Sequence, residues 1–361
     1  MISKAIDFLL ANANPSIKRR VKTEILHNLT SKEAAQYQEQ ILDEPIIKRI
    51  FACQKDNGWF GNGFHGCSRN ATQFENMETD TKYLAEKAVD KDTPTLSKAM
   101  HAFEIIPLDD PCYEAHGFTI DEFKHAAGGQ NLIRCACIAR AGYDDRIDIS
   151  PQIQLSLDSF RRVLEIDSIF DITRPIRNGK QLVFKDYEKW PCRYHLDILS
   201  HTYSWRSKKN IIMLAESIRK LMKTDRPELI GLMPSVWIGH AVGPLGGFPA
   251  QGFTVRTEGL LPGQCVGKIG NIQFEYMEWL ARCGVVQFIP ELKTAAEEII
   301  NSFDSNGICS MQVGDAVFKG WGPYGGLQLE TDWKALVRRD CDITFRALLI
   351  AYYSGLYKEI A

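Results

Sequence analysis

Apolar residues recur at helical spacing through most of the chain. In residues 96–106, 153–164, 211–221 and 292–303, an apolar side chain returns every three or four positions, which is the period of an amphipathic helix. Each of these segments follows, across a short turn, another apolar segment, such as residues 137–142 or 280–284. The pattern therefore predicts an all-α protein that is built from pairs of helices.

Helix stop and start signals fix the boundaries of these pairs. A glycine follows the first helix in three pairs (Gly142, Gly284, Gly355), and a proline opens the second helix in others (Pro94, Pro151, Pro290), as expected of helix ends and beginnings. We predict first helices at 82–89, 130–141, 194–203, 272–283 and 342–354. We predict second helices at 94–106, 151–166, 209–223 and 290–303.

The last helix has no partner after it in the chain. Residues 345–355 resemble the first helix of a pair, and the N-terminal helix, with Ile2, Ala5, Ile6 and Leu9 at helical spacing, is the candidate partner. That pairing would close a ring of about six helical hairpins. The helical spacing of these four apolar residues also favours a mature amphipathic helix over a signal peptide at the N-terminus.

Short and long connections alternate along the chain. Short turns join the two helices of a pair, and long segments join successive pairs: 55–80, 107–129, 167–193, 224–270 and 304–339. All long loops are then expected at one end, where they build a mouth over an axial cavity. The segment 224–270, rich in glycine and proline, is expected to cover that mouth, because long irregular loops are commonly functional.

Composition narrows the class of protein. The 361 residues are 45% hydrophobic and 24% charged, which fits one domain spanning 1–361 with a large core. The net charge of −2 argues against nucleic acid as a partner, and no apolar stretch is long enough to span a membrane. Ten cysteines are scattered without a C-x2-C pair, so we expect reduced thiols, no metal site, no cofactor and a cytoplasmic protein. The oligomeric state stays open.

One hexapeptide carries a family resemblance. Residues 54–59, Gln-Lys-Asp-Asn-Gly-Trp, end an apolar helical run, so that the Gln54 amide can bind backbone groups at the helix end while the Trp59 indole covers the junction with the next helix. The stretch resembles the Gln-Trp repeat of the terpenoid cyclase and protein prenyltransferase α/α-toroid superfamily. Trp190 and Trp321 close later loops more loosely. The resemblance implies an α/α toroid with long loops on one face.

The catalytic motifs of that superfamily are not present in their usual form. No Asp-x-Asp-Asp motif of class II cyclases occurs, and Asp340 and Cys341 are adjacent instead of forming the Asp-x-Cys zinc ligands of prenyltransferases. Residues 144–148 fit the Asp-Asp-x-x-Asp motif of ionising terpene synthases, but they lie in a predicted short turn. The resemblance therefore implies the fold more than the reaction.

Reactive residue types gather where predicted first helices begin. The densest stretch is 190–197, where His195 is a candidate general acid or base; Asp197, two positions on, cannot share its helix face and is a poor partner. We predict catalytic roles for His195, Asp332 and Asp340. The predicted substrate-binding residues are Trp59, His65, Trp190, Arg193, Tyr194, His240, Trp321, Tyr324 and Arg339. For residues 330–342 an ion-pair network at a helix entrance is an equal alternative.

Three functions remain open from the sequence. The first is a terpenoid cyclase-like or prenyltransferase-like enzyme that acts by acid–base chemistry on a small molecule in an aromatic cavity without charges at depth. The second is a carbohydrate-active hydrolase or lyase on an (α/α)6 barrel, which needs two carboxylates, or a His-Tyr-Arg set, near a stacking platform. The third is a ligand-binding protein without catalysis.

Overall fold

A computed structural model describes residues 2–64, 74–113, 129–167, 171–176, 181–185, 187–222, 241–242, 271–311, 318, 320–322 and 326–356. The chain divides into two compact units: Met1–Phe103 with Gly259–Ala361, and Glu104–Glu258. The prediction of one domain over 1–361 stays a prediction.

Helices make up most of the described chain. They are α1 (Ile2–Asn12), α2 (Pro15–Arg20), a π-helical turn (Val21–Ile25), α3 (Ser31–Asp43), α4 (Pro45–Ala52), α5 (Met77–Glu86), α6 (Pro94–Ile105), α7 (Gln130–Arg140), α8 (Ser150–Glu165), α9 (Arg193–His201), α10 (Lys208–Met222), α11 (Asn271–Arg282), α12 (Pro290–Asn301) and α13 (Leu336–Tyr353). Single 3-10 turns lie at Pro111–Tyr113 and Val286–Phe288. The predicted helical class is confirmed.

The predicted helix boundaries agree best where the chain carries stop and start signals. Gly142 and Gly284 adopt φ values of +68° and +75°, and the residue after each returns a hydrogen bond into its helix, from Tyr143 N to Ile138 O at 3.0 Å and from Val285 N to Leu280 O at 3.3 Å. This is the Schellman ending of a helix. The predicted helix stops at these glycines are thus confirmed.

Two first helices begin earlier than predicted. Helix α5 begins at Met77 instead of residue 82, and α13 begins at Leu336 instead of residue 342. The first turn of α5 is polar, and Asn76 caps it by accepting from Thr79 N at 2.9 Å. Apolar periodicity cannot detect a polar first turn, but an Asn at the N-cap position is a signal in the sequence for the start of a helix.

One small sheet was not predicted. Strands β1 (Thr173–Ile176), β2 (Gln181–Phe184) and β3 (Ala241–Val242) are antiparallel in the order β1-β2-β3. They fall in two of the long segments that the sequence predicts to be loops, because each strand is too short to show a clear alternation of apolar and polar residues. Pro175 is tolerated in β1 because β1 is an edge strand. The rest of segment 224–270 lies outside the described residues.

In the first unit, the Gln54 to Trp59 stretch links α4 to α6. Gln54 Nε2 donates to Thr95 O in the first turn of α6 at 2.8 Å and to Gly58 O at 3.1 Å. The Trp59 side chain is 1% exposed and meets Phe103 of α6 edge-on, with ring centroids 5.9 Å apart. A clasp between helices is thus confirmed at this position, and the helix that it holds is α6, the second one after α4. We call residues 54–60 the first clasp.

A second clasp repeats the backbone of the first at residues 303–309. The isolated bridge between Gln54 and Phe60 has its counterpart between Phe303 and Cys309. Gly58 and Gly307 have φ values of +90° and +82°, and each lies against a helix. A Cβ atom on Gly58 would approach Lys98 O in α6 to 2.4 Å, and one on Gly307 would approach Ala5 N in α1 to 2.2 Å.

The second clasp shows which helix partners α13. The order α12, second clasp, α13 matches the order α4, first clasp, α5, and α1 takes the position of α6. Helix α1 packs against α13, and Lys4 of α1 donates to Ser305 O in the second clasp at 2.7 Å. The expectation that the N-terminal helix supplies the partner of the last helix is therefore confirmed.

A closed ring of charged side chains lies inside the first unit. Arginine and glutamate alternate around it, and each contacts both of its neighbours in the order Arg346, Glu86, Arg20, Glu24, Arg282 and Glu278. Arg20 also lies 4.0 Å from Glu278 across the ring. The six come from α2, the π-helical turn, α5, α11 and α13. Burial alone would raise the pKa of Glu24, but Arg20 and Arg282 beside it hold that pKa well below its usual value. We call these six residues the ionic ring.

Within the described residues, no helix is both long and apolar enough to cross a membrane. None of the eight described cysteines forms a disulfide, and Cys53 and Cys112 are the two among them that are not fully buried.

Candidate functional site

The start of α9 is organised by His195. Cys192 precedes the helix as its N-cap, and its backbone N–H donates to Nδ1 of His195, three residues on, at 2.9 Å. One of the N–H groups that a helix start leaves without an intrahelical acceptor is thereby satisfied. The hydrogen bond fixes the orientation of the imidazole ring.

The same hydrogen bond fixes the tautomer of His195. The side chain is 1% exposed, and burial lowers its pKa to about 3, so the ring is neutral at physiological pH. Because Nδ1 accepts from Cys192 N, the single ring proton must be on Nε2. Among the described residues, Nε2 has no hydrogen-bond partner. His195 therefore presents a buried donor, whereas a general base would need a free lone pair.

Trp190 presents a second donor of the same kind. The side chain is 3% exposed, and its indole N–H is buried without a hydrogen-bond acceptor in the described part of the chain. A buried donor that lacks an acceptor costs roughly 1–3 kcal/mol. Two of them lie within six residues of sequence, just before and inside the first turn of α9.

Asp197 has other partners than His195. Its carboxylate binds Arg140 of α7 at 3.0 Å and lies 3.1 Å from Nδ1 of His201, one turn further along α9. The expectation that helix geometry separates Asp197 from His195 is confirmed. Asp197 links α7 to the C-terminal half of α9 and leaves His195 without a carboxylate partner in this helix.

Helix α9 is buried over its whole circumference. Arg193 and Tyr194 are 1% and 5% exposed, and every position from Arg193 to Ser200 is buried. Because consecutive helical residues point about 100° apart, Arg193, Tyr194 and His195 face different directions. Helix α9 therefore carries polar side chains on several of its faces.

The remaining predicted site residues lie in the first unit or outside the described residues. Trp59 belongs to the first clasp. Trp321 is 4% exposed, with its ring 5.1 Å from that of Tyr83. Asp332 is exposed and accepts from Lys334 N at 2.9 Å, which is the behaviour of a turn residue. Three predicted residues lie outside the described part: His65, His240 and Tyr324.

Arg339 and Asp340 both lie at the start of α13. The Arg339 guanidinium lies over the ring of Trp333, 5.4 Å from its centroid. Asp340 is half-buried, and burial raises its pKa. Neither observation assigns a reaction to them.

Asp342 and Glu330, which lie near Arg339 and Asp340 in the chain, are buried carboxyl groups. Asp342 accepts hydrogen bonds from Leu329 N at 2.9 Å, from Glu330 N at 3.2 Å and from Trp333 Nε1 at 2.6 Å. Burial raises the pKa of Asp342 to about 6 and that of Glu330 to about 7. Both lie in residues 330–342, which are rich in acidic and basic residues. The sequence does not indicate which of these carboxyl groups are buried.

Helix α5 carries a further buried polar set. Glu78 and Lys82 form an ion pair at 3.0 Å, with side chains 0% and 1% exposed. Burial raises the pKa of Asp80 to about 7, although Glu75 N and the Cys53 thiol donate to it. A carboxyl group with this pKa exchanges protons near neutral pH. In the sequence, Glu78 and Asp80 are polar residues just before the predicted helix 82–89, and nothing in the apolar periodicity indicates that they are buried.

No protein-family model matches the chain, and neither a curated protein nor a solved structure matches it significantly. Within the described residues, no group of three or more His, Cys, Asp or Glu side chains is arranged to hold a metal ion.

Proposed function

We propose that this protein is an α/α toroid of about six helical hairpins that acts on a polar, oxygen-rich ligand, as a carbohydrate-active hydrolase or lyase does. The observation that carries the proposal is the pair of buried donors at the start of α9. His195 Nε2–H and Trp190 Nε1–H lack acceptors among the described residues. Sugar hydroxyl, ring and carboxylate oxygens are acceptors of the required kind.

The neutral state of His195 determines its role in this proposal. A neutral imidazole that donates through Nε2 polarises a ligand oxygen without carrying a charge into a dry site. The ring is held for this by the Cys192 N–H on its other nitrogen. His195 is therefore assigned to binding and polarising the ligand, and the proton-transferring group is left to another residue.

Predicted first helices bury charged side chains in both units. In the first unit, α5 buries Glu78 and Lys82, and in the second unit, α9 buries Arg193 and Asp197. Burying charge is costly unless it is paired, and Glu78 pairs with Lys82 while Asp197 pairs with Arg140. These pairs stabilise the helices, so the preference for a polar ligand rests on the donors at α9.

A terpenoid cyclase-like or prenyltransferase-like activity is the second candidate. It is favoured by the first clasp, in which Gln54 and Trp59 tie the end of α4 to α6, and by the repeat of that backbone at residues 303–309. The toroid itself is common to both candidates, and what favours the second one is the resemblance of residues 54–59 to the Gln-Trp repeat. A cytoplasmic location is proposed as well, supported by the lack of disulfides among the eight cysteines that the structure describes.

A thermal-shift comparison separates the two candidates. The protein is heated with an oligogalacturonate, a neutral glucan oligomer or a prenyl diphosphate, each titrated to saturation. A ligand at 100 times its Kd stabilises the protein by about 2.7 kcal/mol. We expect stabilisation by an oligosaccharide and none by the prenyl diphosphate; the reverse result would replace the first candidate by the second.

Matched variants then assign the site. His195→Asn keeps an acceptor for Cys192 N and removes the Nε2 donor, and His101→Asn makes the same change at an exposed position of α6. Oligosaccharide stabilisation should be lost in His195→Asn and kept in His101→Asn. Equal stabilisation of both variants would remove His195 from the site.

A further inference from the structure

A cleft of about 470 Å³ lies in the first unit, where the α1–α2 junction faces α3, the N-cap of α4 and the segment before α13. Its polar lining includes Asn14, Lys18, Tyr37, Glu44, Glu330 and Arg338. Small-ligand sites commonly have volumes of roughly 300–1,000 Å³. All of these residues lie in the part of the chain that the structure describes.

The acidic side of the cleft contains a carboxylate oxygen in need of a donor. Glu44 is 9% exposed, and its Oε2 pairs with Lys87 Nζ at 2.7 Å. Its Oε1 is buried and has no hydrogen-bond partner among the described residues. Glu330 is already occupied, because it accepts from Asn14 N at 2.7 Å and contacts Arg338 at 3.4 Å.

The basic side of the cleft contains two cations that retain donors. Lys18 Nζ donates to Ala11 O at 3.2 Å, which uses one of the three donors of an ammonium group. Arg338 uses Nη1 to contact Asn12 O at 2.6 Å, and its side chain remains 37% exposed. A guanidinium group has five N–H donors.

The lining carries both signs of charge. Lys18 and Arg338 stand with Glu44 and with Glu330, and Glu330 is only partly ionised near neutral pH because burial raises its pKa to about 7. A ligand with one sign of charge would therefore meet repulsion as well as attraction. Leu10, Ala13 and Pro15 add apolar surface to the same cleft. A molecule that carries both an ammonium and a carboxylate beside an apolar group matches every part of the lining.

We propose that this cleft binds a free α-amino acid, with the ligand ammonium at Glu44 and the ligand carboxylate at Lys18 and Arg338. This proposal does not depend on the function proposed for the start of α9. It requires no contribution from Trp190 or His195.

Isothermal titration with the common L-amino acids, tested one at a time on the full chain, examines this proposal. We expect at least one with an apolar side chain to bind. The amine without its carboxylate and the acid without its amino group should each bind at least about tenfold more weakly, because each loses a charge-assisted contact. For L-leucine these analogues are 3-methylbutylamine and 4-methylpentanoate.

Variants locate the site on the cleft. Lys18→Met and Glu44→Gln should each weaken amino-acid binding at least about tenfold, while the exposed substitutions Lys32→Met and Glu39→Gln on α3 should leave it unchanged. Glu44→Gln also weakens the pairing of Lys87, so Lys18→Met, at a half-buried position, carries the test if the other variant does not fold.

His195→Asn should bind the amino acid as tightly as the wild type, which separates this proposal from the one for α9. Absence of binding by every amino acid would overturn the inference. Equal binding of either analogue would overturn it too, as would an unchanged Kd in Lys18→Met.

Discussion

The ionic ring of the first unit and the start of α9 in the second unit both bury polar groups, but they differ in how those groups are satisfied. In the ring, each of three arginines contacts at least two glutamates and each glutamate contacts at least two arginines. At α9, Nε2 of His195 and Nε1 of Trp190 have no partner among the described residues. Buried groups that satisfy one another hold a fold together, whereas the proposed function assigns the two remaining donors to a ligand.

The comparison rests on the cost of leaving a buried group without its partner. Breaking a buried ion pair costs about 3–5 kcal/mol because one charge remains uncompensated. An unsatisfied buried donor costs about 1–3 kcal/mol already in the native state. Changes in the ring should therefore act on stability, and changes at the donors should act mainly on binding.

The largest effect is expected from Arg346→Met. The substitution removes one of the arginines that contact Glu86 and Glu278, which Arg346 holds at 2.6 and 2.9 Å. We expect the free energy of unfolding to fall by about 3–5 kcal/mol, measured by urea denaturation. Lys48→Met removes the exposed pair with Asp43 and should cost less than about 1 kcal/mol. An equal loss of stability in Arg346→Met and Lys48→Met would contradict a structural role for the ring.

The clasp glycines should come next. Gly58→Ala and Gly307→Ala combine a strained positive φ with a Cβ that would lie within 2.4 Å and 2.2 Å of backbone atoms, and we expect each to cost about 3 kcal/mol or more. Gly142→Ala shares the positive φ, at +68°, but its Cβ would meet nothing within 4 Å. It should cost about 1–2 kcal/mol. Equal costs at the three positions would show that the clasps do not press on α6 and α1.

Much of the fold could be predicted from the sequence because it depends on local signals. Apolar periodicity located the helices, Gly142 and Gly284 ended two of them, and the hexapeptide 54–59 gave the first clasp. The second clasp lacks both the Gln and the Trp, and only its Asn-Gly step repeats. Its likeness to the first is therefore visible in the backbone alone.

The candidate site was less predictable because it depends on burial. The sequence identified Trp190 and His195 as reactive types at a helix start. It could not reveal that Cys192 N would donate to His195 Nδ1, which replaces the expected role of general acid or base by that of a hydrogen-bond donor. The ionic ring was missed because its members lie on elements that are far apart in sequence.

Stability should depend on pH through Glu330. Its folded pKa of about 7 exceeds the ordinary 4.5, so the folded state binds the proton more tightly, and stability falls as pH rises between these two values. Glu330→Gln removes this titration. Relative to wild type, the variant should gain about 1–3 kcal/mol in unfolding free energy between pH 4.5 and 8. A constant difference across this range would contradict the assignment; the exposed Glu39→Gln is the control.

The smallest stability effect is expected at the His195 cap. His195→Ala removes the acceptor for Cys192 N, whereas His195→Asn retains an acceptor. We expect the alanine variant to be less stable than the asparagine variant by about 1 kcal/mol, measured by urea denaturation. Equal stability would show that the hydrogen bond to Cys192 does not stabilise α9.

The central claim is that the buried donors at α9 receive a ligand oxygen. The indole N–H resonance of Trp190 reports this directly in protein labelled at its tryptophan nitrogens, and it is assigned by its absence in Trp190→Phe. On titration with the oligosaccharide that stabilises the protein, this resonance should shift downfield and its N–H should exchange more slowly with solvent, because it gains an acceptor. A Trp190 resonance that stays unmoved at saturation, while the ligand is bound, would contradict the account.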